Sequence, residues 1–191
     1  MTSILLKTAI AGFVKVGAAV VSLALTVLAT RVLGAKESGL FLLGVSLLTA
    51  LSIFCRLGFD SVVLRAVGAE NFSPAAQSKL NMGLICALFA SIVFSLLIFP
   101  FTGAISVAVF NKPEFSVVLR WCMLALPAMA IFMLLASAFQ GLNRVVAAVV
   151  FQNLGISLVF LSLFILLCVV APESIDAELA AAIYAFSALL T

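Results

Sequence analysis

The chain has 191 residues, 66% of them hydrophobic and 9% charged, with a mean hydropathy of +1.41. A soluble domain carries roughly a quarter of its residues charged, and a core of this size cannot hide so much apolar side chain, so the surface itself is apolar and its solvent is a bilayer. Ten Lys/Arg against seven Asp/Glu leave a net +3 with no dense basic patch for nucleic acid, and a chain without histidine has no imidazole metal site and lacks the commonest general base.

Six apolar blocks follow in chain order. The first runs over about 8–33. Its beginning, MTSILLKTAIAGFVK, is not a cleavable leader, because the run between Lys7 and Lys15 is short and the apolar region continues to Leu33. Thr8, Gly12, Lys15, Ala19, Ser22, Thr26 and Thr30 share one stripe of this helix. Small and hydroxyl residues suit close helix packing, which leaves the lysine unexplained. Lys15 either snorkels to the interface or faces an aqueous cavity, and both readings stand.

The second block covers 38–67, after a break at Gly34. It is uncharged from Ser38 to Cys55 and then places Arg56 and Asp60 four apart, on one helix face where they can pair. Thirty residues make about 45 Å of helix, too long for a perpendicular span. A tilted or bent helix with Gly58 as its weak point sets the pair deep in the membrane. A charge there costs about 3 kcal/mol or more and normally faces protein or a water-filled cavity. The competing reading is an interfacial pair at headgroup depth.

The third block covers 81–101, after GAENFSPAAQSK. The fourth covers 117–139, after NKPE, and carries Pro127, which removes a backbone bond and is expected to bend the helix. The fifth, 145–170, follows QGLNR and contains Gln152 and Asn153, which would hydrogen-bond either sugar hydroxyls or neighbouring helices. The sixth, 176–191, stops at Thr191, short of the ~20 residues a span needs, so the expectation is the N-terminal part of a longer protein. Short turns make neighbouring helices antiparallel in a single all-α polytopic membrane lobe. Lys and Arg divide four against four between the two sides, so the charge rule leaves orientation open. Cys55, Cys86, Cys122 and Cys168 stand singly and read as small buried hydrophobes; no metal or other cofactor is expected.

The stretches ATRVLGAKESGLFLLGVS, LGFDSVVLRAVGAE and AFQGLNRVVAAVVFQNL resemble the polysaccharide flippases of the multidrug/oligosaccharidyl-lipid/polysaccharide superfamily, the Wzx-type transporters. The matching positions are Arg31, Val32, Leu33, Gly34, Glu37 and Gly39; Leu57, Gly58 and Arg65; and Gln140, Gly141 and Arg144, followed by Gln152 and Asn153. The resemblance covers the N-terminal half of such a transporter. It implies a MATE-like six-helix lobe that, with a second lobe, encloses a cavity open alternately to each side of the bacterial inner membrane. It further implies a polyprenyl-pyrophosphate-linked oligosaccharide as cargo, held by cavity cations among which Lys15 and Arg56 would fall, with Asp60 restraining the arginine. Partners would be the C-terminal lobe, membrane lipids, and the polysaccharide polymerase and chain-length proteins; no reaction would be catalysed. The rivals are a cation-coupled drug antiporter using Asp60, a membrane enzyme of glycan assembly, which the short loops disfavour, and a plain structural bundle.

Overall fold

The computed structural model describes residues 2–70, 73–142, 147–148, 159–163 and 176–190. The helices among them are α1 (Thr2–Cys55), α2 (Phe59–Glu70), α3 (Pro74–Ile98), α4 (Thr102–Ala108), α5 (Phe115–Gly141) and α6 (Ala177–Leu190), with a 3₁₀ turn, Phe99–Phe101, joining α3 to α4. No strand occurs among the described residues. Three stretches are long and apolar enough to cross a membrane: Thr30–Cys55, Pro74–Ala108 and Phe115–Gly141. The protein is an all-helical, polytopic membrane protein.

Local chemistry sets the boundaries. Residues 2–55 form one helical run interrupted only at Gly34, whose φ of 78° and ψ of 171° lie in a region that essentially only glycine occupies. The break expected there is thus a single residue rather than a loop. At the described small residues the packing expected of the stripe from Gly12 to Thr30 is not seen. Gly12, Ala19 and Ser22 are exposed, and a Cβ on Gly12 would meet no atom within 4 Å. The hydroxyls of Thr26 and Thr30 donate instead to the carbonyls of Ser22 (2.9 Å) and Thr26 (2.6 Å).

The helix drawn over 38–67 is interrupted rather than bent. α1 ends at Cys55, α2 begins at Phe59, and Leu57 and Gly58 between them take φ of 49° and 78°. The third helix begins earlier than residue 81. Ser73 caps it by accepting from Ala76 N–H at 3.2 Å, and Pro74 fills the first position, where no N–H is needed. The fifth block lies almost wholly outside the described residues.

α5 is the hub: α1, α2, α3 and α6 all pack on it. Neighbouring atoms give the directions. Gly44 meets Val118 and Cys122, and Gly141 meets Leu64 and Val67, so α1 and α2 climb in the same sense as α5. Gly83 meets Leu134, and Ser95 bonds Met123, so α3 runs the opposite way. Glu37 accepts from Ala177 N–H at 3.3 Å, which caps α6 and ties its start to the turn of α1 just past the Gly34 break. In that same turn Lys36 pairs with Glu114 at 2.7 Å in an exposed contact. Phe41, Phe160 and Tyr184 meet as an aromatic trio, Phe41 and Phe160 stacked at 5.4 Å. Small residues Ala177, Ala180, Ala181, Ala185 and Ala188 give α6 a buried face for close approach.

α5 remains one helix through Pro127. Proline has no N–H to offer the carbonyl four residues earlier, that of Met123. The Ser95 hydroxyl of α3 donates to this carbonyl at 2.7 Å and replaces the lost bond. Ser95→Ala is therefore expected to destabilise the fold by about 1 kcal/mol, the usual scale for hydrogen bonds between membrane helices. In a Pro127→Ala background, where the backbone bond returns, the same change should cost close to nothing. Equal cost in both backgrounds, measured by detergent unfolding, would count against this role of Ser95.

Candidate functional site

The buried apolar residues divide into two clusters. One joins α1, α5, α6 and Phe160, and includes Cys55. The other joins α2, α3 and the far end of α5 around Val63, Leu80, Leu134 and Ala138. The α1–α2 break falls between them, and the charged pair sits on that seam.

Arg56 Nη1 lies 2.7 Å from Asp60 Oδ2. Arg56 Nε also donates to Ser52 O at 3.1 Å, the same carbonyl that accepts from the Arg56 backbone N–H at 3.3 Å, so the last turn of α1 is held twice. The Ser137 hydroxyl of α5 lies 3.2 Å from Asp60 Oδ1 and 3.1 Å from Met133 O, so its single proton serves one of them at a time. The cation stands at a helix C-terminus and the acid in the first turn of the next helix. Each charge is on the favourable pole, worth roughly 0.3–1 kcal/mol apiece. The pair thus closes the break and fastens it to α5.

Ser137, which bonds Asp60, lies four residues before Gly141, about 6 Å from the end of α5, and the membrane-length stretch Thr30–Cys55 stops just before Arg56. Burial is uneven: 11% of the Arg56 side chain is accessible against 34% of Asp60. Leu57 adds strain, since a non-glycine residue at positive φ is uncommon and costs about 1–2 kcal/mol.

The other sequence-derived positions are scattered. Lys15 lies on α1 and its side chain is outside the described set, as are Gln152, Asn153 and Arg144 altogether. Arg31 is exposed one turn before Gly34, and Gln140 is half-buried in the last turn of α5. Gly141 ends α5 where a Cβ would meet Leu64 O at 2.8 Å and Val67 Cβ at 3.0 Å. Sequence reasoning did not single out Ser137; its only signal is a hydroxyl in an otherwise apolar turn before Gln140. Among the described residues no cluster of His, Cys, Asp or Glu could hold a metal ion.

A helix interrupted at the end of a membrane-length apolar stretch, with opposite charges on its facing ends and a neighbouring helix bonded to the acid, gives this membrane protein a polar junction. Residues 4–191 match the family described as polysaccharide biosynthesis protein, and the chain belongs to that family. No curated protein and no solved structure matches it.

Proposed function

We propose that the chain forms one lobe of a transporter that moves a polyprenyl-pyrophosphate-linked oligosaccharide across the inner membrane of a bacterium, without catalysing a reaction. The observation that carries this reading is the charged break in the apolar bundle of a polysaccharide biosynthesis family member. Discontinuous membrane helices supply transporters with polar helix ends at depth, where an ionic cargo is held. Here Asp60 occupies Arg56 until a diphosphate arrives. The planar guanidinium fork suits carboxylate and phosphate alike, so the cargo competes for the same donors and loosens the clasp between α1 and α2. Movement of the α2–α3 cluster against the α1–α5–α6 cluster would then turn the site toward the other side. A second lobe would close the cavity, and the polymerase and chain-length proteins would take the product onward.

In cells lacking the gene, surface polysaccharide should fall and the lipid-linked repeat unit should accumulate on the cytoplasmic side. Restoration by the wild-type gene, with only partial restoration by Arg56→Lys, which keeps charge but loses the fork, is the expected result. Normal surface glycan in the deletion strain would overturn the reading.

The greater exposure of Asp60 favours a second reading, a cation-coupled drug antiporter with Asp60 as the ion-carrying acid. In that case the deletion would raise drug sensitivity and leave surface glycan unchanged.

A further inference from the structure

Arg65 and Lys79 lie apart from the charged break. Together with Ser61, Val62, Ala66 and Ala69 they line a groove of about 380 Å³ between α2 and α3. Lys79 is five residues past Pro74 and Arg65 five before Glu70, each about 8 Å along its helix, so both cations stand near the end of the pair where α2 passes to α3. Met82, Phe89, Val93 and Leu96 continue the Lys79 face of α3, all exposed and apolar, with Met82 at 61% and Phe89 at 70%. From Lys79 to Phe89 is about 15 Å of helix, the depth of one leaflet of a ~30 Å hydrocarbon core.

We infer that this groove and stripe seat an anionic phospholipid of the bilayer, its headgroup phosphate between Arg65 and Lys79 and an acyl chain along Met82 and Phe89. Two cations supplied by different helices match a phosphate, and the apolar stripe leading away from them matches a tail. Among the described residues the walls carry a single hydroxyl, Ser61, and no amide or carboxylate side chain to read a sugar. The groove volume suits a phosphate ester with a glycerol-sized group rather than a chain of sugar rings. The chemistry therefore favours a resident lipid over the glycan cargo. By bridging α2 and α3, such a lipid would brace the cluster beside the break.

The test is native mass spectrometry of the whole protein titrated with phosphatidylglycerol, with diacylglycerol as the phosphate-free control and a polyprenyl diphosphate as the cargo-like competitor. Arg65→Gln or Lys79→Gln should each weaken phosphatidylglycerol about fivefold, and both together about 25-fold, at roughly the contribution of one cation near a charged headgroup apiece. Arg65→Lys and Lys79→Arg should retain binding. Equal affinity across these variants, equal affinity for diacylglycerol, or charge-dependent displacement by the polyprenyl diphosphate at lower concentration would each overturn the assignment. A phosphatidylglycerol with a photoactivatable acyl chain gives a readout on the wild-type protein alone. Label on Met82, Ile85 or Phe89 is expected, and label spread evenly over the exposed apolar faces would contradict the seat.

Discussion

Asp60→Leu is expected to deplete the protein from the membrane far more severely than Arg56→Leu. Arg56 is the more deeply buried partner, with 11% of its side chain accessible. Its guanidinium does not give up its proton in a protein. Without Asp60 it stands as an uncompensated charge among apolar helices, and breaking a buried pair in this way costs about 3–5 kcal/mol. Losing Arg56 is milder. Asp60 is 34% accessible, so water still reaches it, and it keeps the Ser137 hydroxyl beside it. The double variant Arg56→Leu/Asp60→Leu removes both charges and should recover much of the abundance lost in Asp60→Leu. Membrane abundance and resistance to detergent unfolding measure this order. If Arg56→Leu proved the more damaging, the pair would not be the clasp described.

Gly141→Ala should be the most damaging small substitution at the α2–α5 contact. A Cβ there would come within 2.8 Å of the Leu64 carbonyl oxygen and 3.0 Å of Val67 Cβ. The first obstacle is backbone, so no side-chain rotation relieves it; the helices must separate. Overpacking of this kind costs roughly 1–3 kcal/mol, and the same contact anchors α2 one to two turns beyond the charged pair. Export should therefore fall together with stability. Gly12→Ala, where no described atom lies within 4 Å, should leave stability within about 0.5 kcal/mol, the usual range for substitutions away from packed features. Similar losses at both glycines would count against a specific α2–α5 contact.

Much of this was legible in the sequence because a bilayer constrains a chain strongly. Apolar length marks the three membrane-length stretches found among the six blocks drawn, and opposite charges four apart mark the ion pair just beyond the first of them. The glycines Gly34 and Gly58 mark the breaks, and both adopt conformations that side-chain-bearing residues avoid. What could not be read depends on contacts between helices. Whether Gly58 bends or interrupts its helix is decided by Leu57 sharing the positive φ, which no local propensity favours. The consequence of Pro127 depends on Ser95, a residue on α3, 28 positions from the Met123 carbonyl to which it supplies the missing donor. Ser137 gained meaning only when α5 was laid beside Asp60. The stripe on the first helix illustrates the reverse. Its spacing was clear, yet small residues at helical intervals do not specify a partner, and Gly12, Ala19 and Ser22 are exposed.

The most direct measurement follows a labelled polyprenyl-diphosphate oligosaccharide across vesicles that contain the whole transporter. Wild type is compared with Arg56→Gln/Asp60→Asn, which keeps polar groups on both ends of the break but removes both charges. With folding intact by helical content, translocation should drop about 10- to 100-fold, the loss expected when hydrogen bonds from a charged group worth about 1.5–3 kcal/mol disappear. Translocation at the wild-type rate in the folded, charge-free variant would contradict a role for the pair in handling the anionic cargo.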